Sequence, residues 1–232
     1  EVQIKISACG LNFADLLMNQ GKYQERPALP YTPGMELAGT VTALGEGVTE
    51  PAAGTRVAAF AGHGGLAEFG CFPADRCMPI PASMGFTDAA AFQVAYGTGH
   101  VALAHRANLK AGETLLVLGA AGGVGLTAIE IGKLMGARVI GVARGDAKLE
   151  AARAAGADDV IDSEAGDLRA AIKALGGVDV AYDPVGGEQF TAALRSMKPE
   201  GRIIPIGFAS GDVPQIPANH LLVKKLTVIG LY

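Results

Sequence analysis

An α/β fold, a doubly wound parallel sheet preceded by a mostly β domain, follows from three features of the 232-residue sequence. From Thr114 onward short apolar runs alternate with helical patterns, which is the signature of a parallel sheet built from βαβ units. Before about Thr87 the chain reads as short β-rich pieces broken by prolines and glycines, among them Pro27, Pro33, Gly45, Gly47 and Gly54. Between Leu115 and Gly125 an apolar strand, a glycine turn and a helix start are joined without a spare residue.

Taken in order, Val2 to Ile6 reads as an early strand of the β-rich domain. An alanine-rich helical pattern from Asp88 to Ala107 links the two parts, and the domain boundary is placed between residues 95 and 96. Six strands are expected beyond it, over residues 114–120, 138–143, 159–162, 178–183, 202–207 and 226–231. The helix after the glycine turn presents Val124, Ala128, Ile131 and Met135 as its inner face. A later helix carries Phe190, Ala193, Leu194 and Met197 at the spacing of a stripe lying on a sheet, with Gly201 punctuating its exit.

The glycine turn carries the chemistry. A pyrophosphate can sit on helix-terminal N–H groups only where the backbone approaches it closely, so Ala121, Gly122, Gly123, Val124 and Gly125 are the candidate phosphate cradle, although Ala120 stands where the first glycine of the usual fingerprint would be. About twenty residues further on, a strand that serves NAD ends in an acid for the ribose 2′-hydroxyl. Here it ends in Ala143 and Arg144. Arg144 and Lys148 would pair with a 2′-phosphate, so the expected cofactor is NADP(H); the alternative is a pair of solvated loop cations.

Composition narrows the remaining classes. A net charge of -4 without a basic tract argues against a nucleic-acid partner. Three cysteines, Cys9, Cys71 and Cys77, form no C-x-x-C pair and suit a reducing compartment. The uncharged stretch from Leu115 is too short and glycine-rich to span a bilayer, so the expectation is a cytoplasmic protein with no membrane partner. Cys9 has no basic neighbour in sequence to lower its pKa, and reads as a small packed residue.

The segments Cys9 to Leu17, Gly21-Lys22-Tyr23, Pro33-Gly34-Met35-Glu36, Ala120 to Gly125 and Asp183 to Gly187 together resemble the medium-chain dehydrogenase/reductase superfamily. Within it, the chain resembles the zinc-free quinone oxidoreductases, the zeta-crystallin-like branch, along its whole length. The resemblance implies a GroES-like catalytic domain followed by a Rossmann domain. It also implies no metal: Asn12 and Met35 stand where zinc-dependent members carry Cys and His, and neither an amide nor a thioether is a usual zinc ligand. Without a Lewis acid, hydride transfer to an already electrophilic quinone or enone is the easier chemistry.

The same resemblance implies roles for single residues. Asn12 would lie by the nicotinamide or the acceptor and donate to developing negative charge, or else form an Asx turn. Tyr23 would line the substrate mouth, or simply pack with a wet tip. Asp15 would organise the pocket or cap a helix beginning near Leu16. Thr98 would contact the nicotinamide side, or cap a helix. Lys148 would reach the 2′-phosphate, and Gly207 and Phe208 would pack against the nicotinamide ribose. Relatives run longer at both ends, so cofactor binding is expected to survive better than turnover. Leu226 to Tyr232 is expected to form a homodimer through the sixth strand's edge. The leading expectation is an NADPH-dependent reductase of quinones or enones. An enoyl-thioester reductase and a non-catalytic NADPH-binding protein are the alternatives.

Overall fold

Five strands of the β-rich part pair antiparallel in a computed structural model that describes residues 1–231. They are β1 (Val2–Gly10), β2 (Glu36–Leu44), β3 (Arg56–Phe60), β4 (Phe69–Phe72) and β5 (Cys77–Pro79), in the order β4-β1-β2-β3-β5. Alternation sorts their side chains: Val2, Ile4, Leu37, Val41, Val57 and Phe72 form one core. Ala38 and Ala58 point the other way, where their small size lets Ala89 and Ala90 pack close. Between β1 and β2 lies a short helix, α1 (Phe13–Asn19).

Helix α2 (Phe86–His100) leaves this unit and continues to Arg106 as a wider helical turn, in which Ala107 N–H donates to Ala102 C=O at 2.8 Å. The chain divides into two compact units at Gly97 and Thr98.

The second unit holds β6 (Thr114–Val117), β7 (Arg138–Ala143), β8 (Asp159–Asp162), β9 (Val178–Asp183), β10 (Met197–Pro205) and β11 (Thr227–Val228). They form one parallel sheet ordered β11-β10-β9-β6-β7-β8. The order reverses at β6, which makes its carboxyl end the topological switch point of a doubly wound fold. Both faces are covered. Leu115 and Val139 meet α3 (Gly123–Leu134), and Ala152 of α4 (Asp146–Ala154) packs over Gly141. Leu116, Ile140 and Val142 point the other way, into a core shared with Ile172 of α5 (Leu168–Ala174) and with Phe190, Ala193 and Leu194 of α6 (Gly187–Ser196). A last helix, α7 (Ala218–Lys224), precedes β11. Among the described residues no helix is long and apolar enough to cross a membrane.

Several expected elements differ in detail. The first parallel strand stops at Val117 rather than Ala120, because Gly119 adopts φ +58 and turns the chain, even though Leu118 and Ala120 still donate to Tyr182 and Val142 carbonyls. The buried face of α3 is centred on Gly125, Ala128, Ile129 and Gly132, with Val124 and Met135 only half-buried. Gly201 lies within β10 and not at a helix exit. The last strand pairs only at Thr227 and Val228 rather than over 226–231, and Tyr232, the end of the expected dimer segment, lies outside the described residues.

Candidate functional site

The glycine turn leaves β6 at its carboxyl end and enters α3 at Gly122, the N-cap. Gly119 C=O accepts the Gly122 N–H at 2.9 Å, and Gly122 C=O accepts the Gly125 N–H at 3.0 Å. Packing requires glycine at Gly125: a Cβ there would overlap the Gly119 carbonyl oxygen. A Cβ on Gly123, by contrast, meets nothing within 4 Å. The first-turn N–H groups of Gly123 and Val124 have no intrahelical acceptor and stand at the positive end of the helix dipole. Ala121 is half-buried, while Gly122 and Gly123 are exposed, so the turn is an open cradle of backbone donors that fits a pyrophosphate.

At the same edge of the sheet, β7 ends on Ala143 and the next residue, Arg144, is exposed. Its guanidinium lies 3.4 Å from Glu164 in the loop after β8, an exposed pair of the kind that contributes little and is readily exchanged. Gly145, with φ +78, caps α4 and places the exposed Lys148 in that helix's first turn.

The third part of this edge is built around Asp183, which ends β9 and is fully buried. Its Oδ1 accepts the N–H groups of Val185 (2.7 Å) and Gly186 (2.9 Å), and its C=O accepts the Ile206 N–H at 2.7 Å. Burial raises its pKa, and the two N–H donors oppose that rise. Ala209 and Ser210 donate to Pro184 and Val185 carbonyls, so the loop bearing Gly207 and Phe208 is stitched to the Asp183 turn. The structure thus brings Ala121 to Gly125, Arg144, Lys148, Gly207 and Phe208 to the carboxyl edge of one sheet, where open α/β sheets bind ligands.

The antiparallel unit holds Asn12 and Tyr23 at opposite ends of α1: Asn12 is its N-cap and Tyr23 follows in the loop beyond, half-buried. The helix begins at Phe13, ahead of the expected Leu16, and Asp15 lies inside its first turn. Asp15 is 5 % exposed; its Oδ2 accepts the Asn12 N–H at 2.9 Å and its Oδ1 the N–H groups of Gly34 (3.1 Å) and Met35 (3.2 Å). It both closes the helix start and fixes the Pro33-Gly34-Met35-Glu36 segment. The Asn12 amide is already engaged, since Nδ2 donates to Glu36 Oε1 at 2.8 Å. Thr98 lies two residues before the end of α2, and the helical run continues through it to Arg106, so the capping reading is excluded for it.

Sequence reading gave Glu36 and Asp183 no role, although both stood in quoted motifs. The available signal was an acid bordering an apolar run, Glu36 before Leu37-Ala38 and Asp183 after Val180-Ala181-Tyr182. Such an acid is costly to bury without partners. Among the described residues no three His, Cys, Asp or Glu side chains gather as a metal-ligand set.

Residues 1–82 match the profile of the alcohol dehydrogenase GroES-like domain, and residues 123–232 that of the zinc-binding dehydrogenases. Over its whole length the chain is 43% identical to quinone oxidoreductase-like protein 2 homolog of Nematostella vectensis, covering 65% of that protein. It is also 43% identical to quinone oxidoreductase-like protein 2 of Bos taurus, covering 68% of it. It therefore spans about two thirds of the length of these curated relatives. The crystal structure of Escherichia coli quinone oxidoreductase complexed with NADPH superposes with a TM-score of 0.93 at 32% identity, covering 100% of this chain and 72% of that one. An antiparallel GroES-like unit, a parallel sheet with its glycine turn at the switch point, and these similarities lead to one assignment: the chain belongs to the quinone oxidoreductase family.

Proposed function

We propose that the protein is a zinc-independent, NADPH-dependent oxidoreductase that reduces quinones or α,β-unsaturated carbonyls. The observation that carries this reading is the open cradle of Gly122, Gly123 and Val124 at the switch point, with Arg144 in place of an acid at the end of β7. The first-turn N–H groups of Gly123 and Val124 donate to the pyrophosphate, and Gly125 keeps α3 close enough to the strand for Ala121 and its neighbours to reach it. Arg144 and Lys148 pair with the 2′-phosphate, with Arg144 exchanging its weak contact to Glu164 for a dianion. Thr98, Gly207 and Phe208 serve the nicotinamide end.

Bound NADPH supplies the hydride, and the protein's work is to orient, exclude water and hydrogen-bond the oxygen on which charge collects. Asn12 and Tyr23 are assigned to that oxygen. The amide and thioether of Asn12 and Met35 make a metal-polarised carbonyl a poor fit to this donor set. The short β11 edge is assigned to a homodimer, which a monomeric mass at micromolar concentration would contradict.

The test is NADPH oxidation by the intact protein against a quinone, an enone and an enoyl thioester. Quinone or enone turnover supports the proposal. A marked preference for the thioester assigns the enoyl-thioester reaction instead. Tight NADPH binding without turnover of any acceptor marks a binding protein.

A further inference from the structure

Glu36 is the most demanding residue in the antiparallel unit, because it is an acid with 2 % of its surface exposed. It opens β2 opposite Gly10 and Phe60. Its Oε1 accepts from Asn12 Nδ2 at 2.8 Å and its Oε2 from the Val94 N–H at 2.9 Å. The second contact joins it to α2, one helical turn before Thr98. Gly10 makes room for the arrangement, since a Cβ there would crowd both the Glu36 carboxylate and the Ala90 carbonyl oxygen.

The Asn12 and Val94 donors approach from different elements, the Gln93 N–H beside Val94 also favours the carboxylate, and each donor needs an acceptor. Only a carboxylate offers acceptors on both oxygens; a glutamine at the same place would present an oxygen to one donor and an NH2 to the other. A glutamine would be cheaper to bury, so a neutral filler does not explain the acid. What the carboxylate adds is a direction: it requires the Asn12 amide to turn its nitrogen inward, committing one amide proton to Glu36 and fixing the plane in which the other lies. Asp15 does the complementary work on the backbone by accepting the Asn12 N–H.

Resting on the functional reading above, we infer that Glu36 is a positioning residue for the reaction. It acts through Asn12, whose second amide proton it aims for donation to the acceptor's oxygen.

Glu36→Gln, Asn12→Ala and the double variant in the intact protein test this. In Glu36→Gln the oxygen of the introduced amide serves the Val94 N–H, its NH2 faces Asn12, and the Asn12 amide must turn over. The expected result is a kcat lowered about tenfold, with the NADPH Kd held within about twofold. In the Asn12→Ala background the Glu36→Gln change should have no further effect, because the residue it orients is gone. Wild-type kcat in Glu36→Gln, or an additional loss in the double variant, would overturn the inference.

A second readout needs no turnover. The Asn12 side-chain amide resonances, identified by their absence in Asn12→Ala, should show one strongly shifted proton that Glu36→Gln loses; unchanged resonances would overturn the inference. A wild-type protein that turns over no acceptor contradicts the functional reading alone, and the resonances still decide whether Glu36 sets the amide. If Glu36→Gln loses thermal stability, Asn12→Asp combined with Glu36→Gln rebuilds the bond, because the introduced amide now donates to the introduced carboxylate. Stability should return without kcat, and recovery of kcat there would also overturn the inference.

Discussion

The two units of this molecule hold their working loops by opposite means. In the antiparallel unit the loop is held by side chains: Asp15 accepts the Asn12, Gly34 and Met35 N–H groups, and Glu36 holds the Asn12 amide. In the parallel unit the loop is held by backbone. Gly119 turns with φ +58, its carbonyl takes the Gly122 N–H, and Gly125 lets α3 approach until no Cβ could fit. The difference follows from what each loop must leave free. A cradle for a phosphate has to keep its donors, the Gly123 and Val124 N–H groups, unspent and its surface bare, so the restraint sits in glycine geometry. A loop that aims a polar side chain needs that side chain held, so buried carboxylates do the holding.

The contrast is most sharply broken at the glycines. Gly125→Val should cost about 4 kcal/mol or prevent folding, because the overlap is with backbone that cannot move aside. Gly123→Ala, with open space around the added methyl, should leave thermal stability near wild type and weaken NADPH binding instead. Thermal denaturation with NADPH titration reads both. A Gly123→Ala protein that unfolds early while binding normally would mean the turn is structural rather than a cradle.

In the other unit Asp15→Ala strips three backbone N–H groups of a buried acceptor and should cost about 3 kcal/mol in denaturant unfolding. Asp15→Asn, which keeps an acceptor oxygen, should cost less. Equal costs would show that charge rather than hydrogen bonding holds the segment.

Burial, with the two acids beside it, also sets the chemistry of Cys9. Burial first, then the charges of Asp15 and Glu36, pushes the Cys9 thiol from 9.0 up to about 11. A raised thiol pKa means less thiolate at any pH below it, about a hundredfold less over most of that range. Iodoacetamide at pH 8 should label the exposed Cys71 well before Cys9, with Cys9 gaining as pH rises toward 11. Early labelling of Cys9 would mean that the thiol is not buried beside the acids as described.

What was legible in the sequence follows the same division. Strands over 138–143, 159–162 and 178–183 have the expected bounds, and of the expected helical stripe Phe190, Ala193 and Leu194 are buried as spaced, whereas Met197 is buried as the first residue of β10, because period and burial are local properties but a helix end is not. The glycine turn was legible because the backbone requirement is written in consecutive residues. Of the expected inner face of α3, Ala128 and Ile131 are buried while Val124 and Met135 are only half-buried, because the closest contact is made by Gly125 and Gly132 and an apolar period does not count residues without side chains. The helix at Thr98 hid its role as interior rather than cap, since a Gly-Thr-Gly setting resembles a start wherever it occurs. Glu36 was missed because its partners lie 24 and 58 residues away, a relation that only the folded sheet creates.

The smallest expected effect is the one on which the cofactor assignment rests. The intact protein is titrated with NADPH and with NADH, following nicotinamide fluorescence, for wild type, Arg144→Asp and Lys148→Ala. Wild type should bind NADPH more tightly than NADH, with the preference lost in Arg144→Asp and reduced about tenfold in Lys148→Ala, and with NADH affinity little changed in Lys148→Ala. Equal affinity of wild type for the two cofactors, or an NADPH preference that survives in both variants, would contradict the assignment.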